Sequence, residues 1–121
     1  MPITSILLVD DSKTELHFLS EVLVNQGFRV RTAENGAEAL RRIAEEKPDL
    51  ILMDVVMPGL NGFQLTRTIT RDPQYANVPV IMCTSKSQET DKVWGMRQGA
   101  RDYVVKPVNP QELVQKIRAF G

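Results

Sequence analysis

Short apolar runs alternate along the chain with longer stretches in which apolar positions return every three or four residues. Ile6-Leu7-Leu8-Val9 is too short for a helix and suits a strand buried on both faces, and Asp10-Asp11-Ser12 ends it. From Ser12 to about Gln26, Leu16, Leu19, Val22 and Leu23 recur at helical spacing, and Gly27 supplies the stop. Phe28-Arg29-Val30-Arg31-Thr32 alternates apolar and charged positions, which predicts an edge strand whose arginines discourage pairing with another chain. Asn35-Gly36 opens a second helix with Ala37, Leu40, Ile43 and Ala44 on one face, ending before Pro48. Leu50-Ile51-Leu52-Met53 is the third strand and runs straight into Asp54.

After the loop Pro58-Gly59-Leu60-Asn61-Gly62, Leu65 and Ile69 mark a third helix that ends near Asp72-Pro73. Val78 to Cys83 is the next strand, left by Thr84-Ser85-Lys86, and a further helix follows to Gly99. Asp102 to Val105 is the fifth strand, left by Lys106-Pro107. Asn109-Pro110 is a cap and first turn, and Leu113, Ile117 and Phe120 put one apolar face on a last helix. Five βα units in order predict an α/β fold, a doubly wound (βα)5 with a parallel sheet, because each crossover has room for one helix.

Composition narrows the reading. The chain has 121 residues, 42% hydrophobic and 25% charged, enough to bury a core without metal or disulfide. The expectation is one soluble domain over 1–121, with no linker and no output domain. Fifteen Lys+Arg balance fifteen Asp+Glu for a net charge of zero, which argues against nucleic acid as a partner and against a polybasic membrane anchor. The single cysteine, Cys83, forms no internal disulfide. The N-terminus lacks a signal pattern and no apolar run reaches membrane-spanning length, so a cytoplasmic location is expected.

In an open α/β sheet, ligands sit beyond the carboxyl ends of the strands. Asp10 and Asp11 leave the first strand, Asp54 the third, Thr84 and Ser85 the fourth, and Lys106 the fifth. Three converging carboxylates repel one another unless a hard cation offsets them, which points to Mg2+. A lysine ammonium and a threonine hydroxyl facing the same point suit a transferable phosphoryl group. Asp54 is then the natural nucleophile, its carboxylate accepting phosphate as an acyl phosphate.

Asp10-Asp11, Asp54 followed by Met57-Pro58-Gly59, Thr84, Gly99-Ala100, Tyr103 and Lys106-Pro107 together resemble the receiver domain of two-component response regulators, and the likeness spans essentially the whole chain. It implies a flavodoxin-like sheet of order 2-1-3-4-5, with Asp54 as phosphoacceptor. Asp11 would ligate Mg2+ directly, Asp10 through water, and Val56 through its backbone carbonyl. Thr84 and Lys106 would contact the phosphoryl group, Tyr103 would be an aromatic switch, and the Lys106-Pro107 bond would be cis. The segment from Gln88 to Ala100, with Trp94 at its centre, is similar to the stand-alone PilH-type receivers, which serve type IV pili, twitching motility and chemotaxis-like signalling. The resemblance thus implies a phosphorelay: a chemotaxis-type histidine kinase as donor, a motility protein as possible output partner, and a signalling protein rather than an enzyme. It leaves the oligomeric state open.

Two alternatives remain open on sequence: a phosphate sink without an output partner, and a small Mg2+-dependent phosphohydrolase, which should carry a second carboxylate at position 56. Single residues also have plainer readings. Ser85 can cap the following helix, His17 sits on a surface, Cys83 is a small core residue, Tyr103 suits any strand, and Trp94 either covers core or anchors a partner. Val56 has no polar group to orient a water, so slow self-dephosphorylation is expected, and Val56→Asn should speed it. Lys86 adds positive charge near the phosphoryl position. Asp102 stands where relatives often carry a small residue, and the sequence offers no physical reason for it.

Overall fold

A computed structural model describes residues 3–55, 62–84, 93 and 96–120, with Thr84 described through its backbone. Five parallel strands form one sheet: β1 (Ser5–Val9), β2 (Arg29–Ala33), β3 (Leu50–Asp54), β4 (Val80–Thr84) and β5 (Asp102–Val105). The order across the sheet is β2-β1-β3-β4-β5, which places β2 and β5 at its edges. Among the described residues four helices accompany them over their full length: α1 (Lys13–Asn25), α2 (Gly36–Glu45), α3 (Gly62–Arg71) and α4 (Pro110–Arg118). The helix expected between Ser85 and Gly99 lies largely outside the described residues, of which Val93, Met96 and Arg97 are helical.

The strands sort their side chains to two cores by simple alternation. Leu7, Val9, Ile51, Met53, Val80 and Met82 pack with Ala39 and Ile43 of α2 and with Leu65 and Ile69 of α3. Ile6, Leu8, Leu50, Leu52, Ile81, Cys83 and Val104 pack with Leu16, Leu19 and Leu23 of α1 and with Leu113 and Ile117 of α4. Both faces of the central strands are therefore covered, as their unbroken apolar runs predict.

Three strands shift their bounds from the sequence reading for local reasons. Phe28 stays in the turn because its N–H bonds back to the Leu23 carbonyl at 3.1 Å, and Ala33 joins β2 opposite Val9. Pro79 has no N–H to give a ladder, so β4 starts at Val80. Asp54 belongs to β3, in register with Cys83. The buried side of α2 is Gly36, Ala39 and Ile43, so Ile43 of the predicted face is buried while Ala37, Leu40 and Ala44 are exposed. The arginines of edge strand β2 also do more than guard it. Arg31 donates to the Arg42 carbonyl at 2.8 Å and to the Glu46 carbonyl, closing the C-terminus of α2, while Arg29 pairs with the Glu46 carboxylate.

Candidate functional site

The carboxyl ends of β1, β3 and β5 converge on one another because β1 and β3 are neighbours and β5 lies two strands further on. Asp10 directly follows β1; its N–H reaches the Ala33 carbonyl at 3.1 Å, and its Oδ1 accepts the Ser12 N–H at 2.9 Å. These bonds turn the chain into α1, whose N-terminus is capped by the Ser12 side chain. Asp54 ends β3. Both carboxylates are buried, at 3% and 7% relative exposure, whereas Asp11 is open to solvent.

Carboxylate oxygens of Asp10, Asp11 and Asp54 all lie within 4.8 Å of one another. Lys106, immediately after β5, donates from Nζ to Asp10 Oδ2 at 2.9 Å and to Asp54 Oδ1 at 3.1 Å. Its peptide bond to Pro107 is cis, as the family resemblance implied. Burial would push the Lys106 ammonium toward neutrality, but the hydrogen bonds and charges of Asp10 and Asp54 outweigh it and raise its pKa. Asp54 is raised in turn, first by burial and then by the adjacent Asp10 charge, with Lys106 opposing. One ammonium among three carboxylates leaves two negative charges in excess. A donor set made only of carboxylate oxygens, closely spaced and with one member facing solvent, fits a hard divalent cation.

Of the residues singled out from sequence, Asp10, Asp11, Asp54 and Lys106 are brought together. Thr84 ends β4 beside Val105, and its side chain lies outside the described residues. Val56, Ser85, Lys86 and Trp94 lie outside the described residues. Tyr103 is half-buried on β5, against the core cluster that holds Met53, Val55 and Met82. His17 is exposed and faces Glu21 at 3.2 Å, away from the acidic group in role and in partner. Cys83 is a buried free thiol whose pKa burial pushes up to about 12, so it takes no part as a thiolate.

One site-forming residue escaped the sequence reading. Gly62, the first residue of α3, donates its N–H to the Val55 carbonyl at 2.9 Å, and a Cβ built on it would lie 2.1 Å from the Asp54 carbonyl oxygen. Only glycine lets α3 begin so close behind Asp54. The available signal was a glycine opening an amphipathic helix directly after the loop that follows Asp54.

Comparison with known proteins agrees with this geometry. Residues 6–118 match the family described as "Response regulator receiver domain". Over 114 residues the chain is 54% identical to Protein PilH of Pseudomonas aeruginosa, covering 94% of each. It is 40% identical to the DNA-binding response regulator MtrA of Mycolicibacterium smegmatis but spans about half of that protein, 49%. Among solved structures, the chemotaxis response regulator CheY4 of Vibrio cholerae superposes with a TM-score of 0.92 at 32% identity, covering 98% of this chain and 99% of that one. The receiver domain of NtrX from Brucella abortus superposes with a TM-score of 0.88 at 28% identity, covering 95% and 96%.

Proposed function

The chain belongs to the response regulator receiver family, and on that premise we propose that it accepts a phosphoryl group on Asp54 from a phosphohistidine of a chemotaxis-type kinase. The observation that carries this reading is a buried Asp54 at a strand end, hydrogen-bonded by Lys106 at 3.1 Å and crowded by Asp10 and Asp11. A carboxylate oxygen of Asp54 attacks phosphorus, the new O–P bond forms as the N–P bond of the donor breaks, and the freed imidazole nitrogen takes a proton. Lys106, held cationic by its two carboxylate partners, follows the charge that develops on the phosphoryl oxygens.

Asp10, Asp11 and Asp54, with the Val56 carbonyl, would hold Mg2+, which when bound neutralises phosphoryl oxygens. Asp10 orients the site through its own bonds to Ser12 and Lys106. Thr84 would contact the phosphoryl group and Tyr103 would respond to it. The 54% identity to PilH supports a role as a stand-alone regulator in type IV pilus or chemotaxis-like signalling, with a motility protein as output partner and Trp94 as its candidate anchor. A donor kinase that draws on ATP places this exchange in the cytoplasm. Val56, apolar at the place where a polar side chain could orient water, supports a long-lived phosphorylated form.

The reading is tested by transfer of labelled phosphate from such a kinase. Label should appear on the native chain, be released by hydroxylamine as an acyl phosphate, and be absent from Asp54→Ala. Label that resists hydroxylamine, or that persists in Asp54→Ala, overturns it.

A further inference from the structure

We propose that Lys116, tied to Asp102, is a positioning residue for the Tyr103 ring and so sets how readily Asp54 takes a phosphoryl group. The proposal rests on the reading of Asp54 and Tyr103 given above and adds two residues to it. β5 is an edge strand, and its residues alternate between the two cores: Val104 packs on the α1/α4 side and Tyr103 on the α2/α3 side. Lys116 belongs to α4, whose buried residues Leu113 and Ile117 serve the first of these sides. Its side chain nevertheless reaches the ring that packs on the other, so it passes around the open edge of the sheet.

What holds it there is Asp102. Lys116 Nζ lies 3.0 Å from Asp102 Oδ1, and the same oxygen accepts the Tyr103 N–H at 2.8 Å. The ammonium sits 5.6 Å from the centroid of the Tyr103 ring, within reach of a cation–π attraction. Neither ionic side chain is fully solvated, at 27% and 30% exposure. Tyr103 is therefore tied at its backbone by Asp102 and at its ring by Lys116. This also accounts for the acidic residue at position 102 that the sequence left unexplained.

The ring in turn leans on the cluster containing Met53, Val55 and Met82, the residues that flank Asp54 and lead to Thr84. Tyr103 is also three residues before Lys106 on the same strand and its exit. A rearrangement at the end of β3 and β4 that draws the ring away from its present place must break the Lys116 contact. Coupling of this kind is reciprocal: whatever holds the ring in the resting placement weakens the phosphoryl-bound state by the same factor.

The test is the affinity of the full chain for beryllofluoride, a mimic of the phosphoryl group, in the presence of Mg2+, followed by amide NMR shifts. Lys116→Gln should bind about two- to five-fold more tightly, the equivalent of one exposed cation–π contact. Lys116→Arg keeps charge, ion pair and ring contact and should retain the native affinity. In a Tyr103→Ala background, Lys116→Gln should change nothing. An unchanged or weaker affinity in Lys116→Gln overturns the proposal, and so does an equal gain in the Tyr103→Ala background. A native chain that does not bind beryllofluoride at all defeats the Asp54 reading itself, and this inference with it.

Discussion

Asp54 and Asp49 respond to folding in opposite directions, and each direction has a local cause. Burial and the Asp10 charge raise the pKa of Asp54, so its ionised form costs the folded state free energy. Its contribution to stability is present below the ordinary carboxylate range and is lost as pH rises through the raised value. In metal-free buffer at neutral pH, Asp54→Asn should therefore unfold at a higher temperature than the native chain. Mg2+ at ten times its dissociation constant should stabilise the native chain by about 1.4 kcal/mol, roughly 5 °C at this length, and the variant by less. A calorimetric scan in which neither Mg2+ nor Asp54→Asn moves the midpoint contradicts the electrostatic account of the site.

Asp49 is the reverse case. Burial alone would raise its pKa, but the N–H groups of Ser5 and Thr4, the Thr4 hydroxyl and the Arg29 charge outweigh that and lower it. One oxygen, Oδ2, takes all three hydrogen bonds, at 2.9, 2.8 and 2.9 Å. The stability it supplies is full above the unfolded-state pKa near 3.8 and is lost as pH falls through the depressed folded value. Asp49→Ala should lower stability at neutral pH by about 1 kcal/mol, the net worth of exposed hydrogen bonds to a charge, and the loss should shrink in strong acid. Equal destabilisation at both pH values would show that the carboxylate charge is not what pins β1. The meeting of Asp10, Asp11, Asp54 and Lys106 was legible in the sequence because each polar residue interrupts an apolar run. Asp49 was not, because its partners stand 44 and 45 residues away.

At the scale of elements, helix starts were the most legible feature. Ser12, Asn35 and Asn109 each accept the N–H three residues on, from Glu15, Glu38 and Glu112. These are short-range devices that a sequence carries openly. The rotation of α2 was less legible, because Leu40 and Ala39 compete for the core and the smaller residue takes it, at 0% exposure against 38% for Leu40. Gly62 was legible only as a glycine opening a helix, since its constraint is a through-space approach of 2.1 Å from an imagined Cβ to the Asp54 carbonyl. Gly62→Ala should cost about 1–3 kcal/mol, as overpacking does, and should slow phosphoryl acceptance because the strain falls on the backbone of Asp54, the proposed acceptor. Urea unfolding together with the acceptance rate checks this. A variant as stable and as fast as the native chain would mean that α3 shifts freely.

For the molecule as a whole, the fold class followed from alternation, whereas the order 2-1-3-4-5 came from the family resemblance. Which strands become neighbours is a tertiary fact, and the apolar runs of β1, β3 and β4 are too alike to reveal it. Among the described residues no helix is long and apolar enough to cross a membrane. What the sheet achieves is a meeting point: Lys106 stands 96 and 52 positions from Asp10 and Asp54 in the chain, and its Nζ lies 2.9 and 3.1 Å from their carboxylates in space. The account depends on that meeting point being a phosphoacceptor site. Intact mass after incubation with Mg2+ and a small acyl phosphate tests it most directly. The native chain should gain a single phosphoryl group, lost when Mg2+ is withheld and in Asp54→Ala. No adduct under any condition, or an adduct that Asp54→Ala retains, would contradict it.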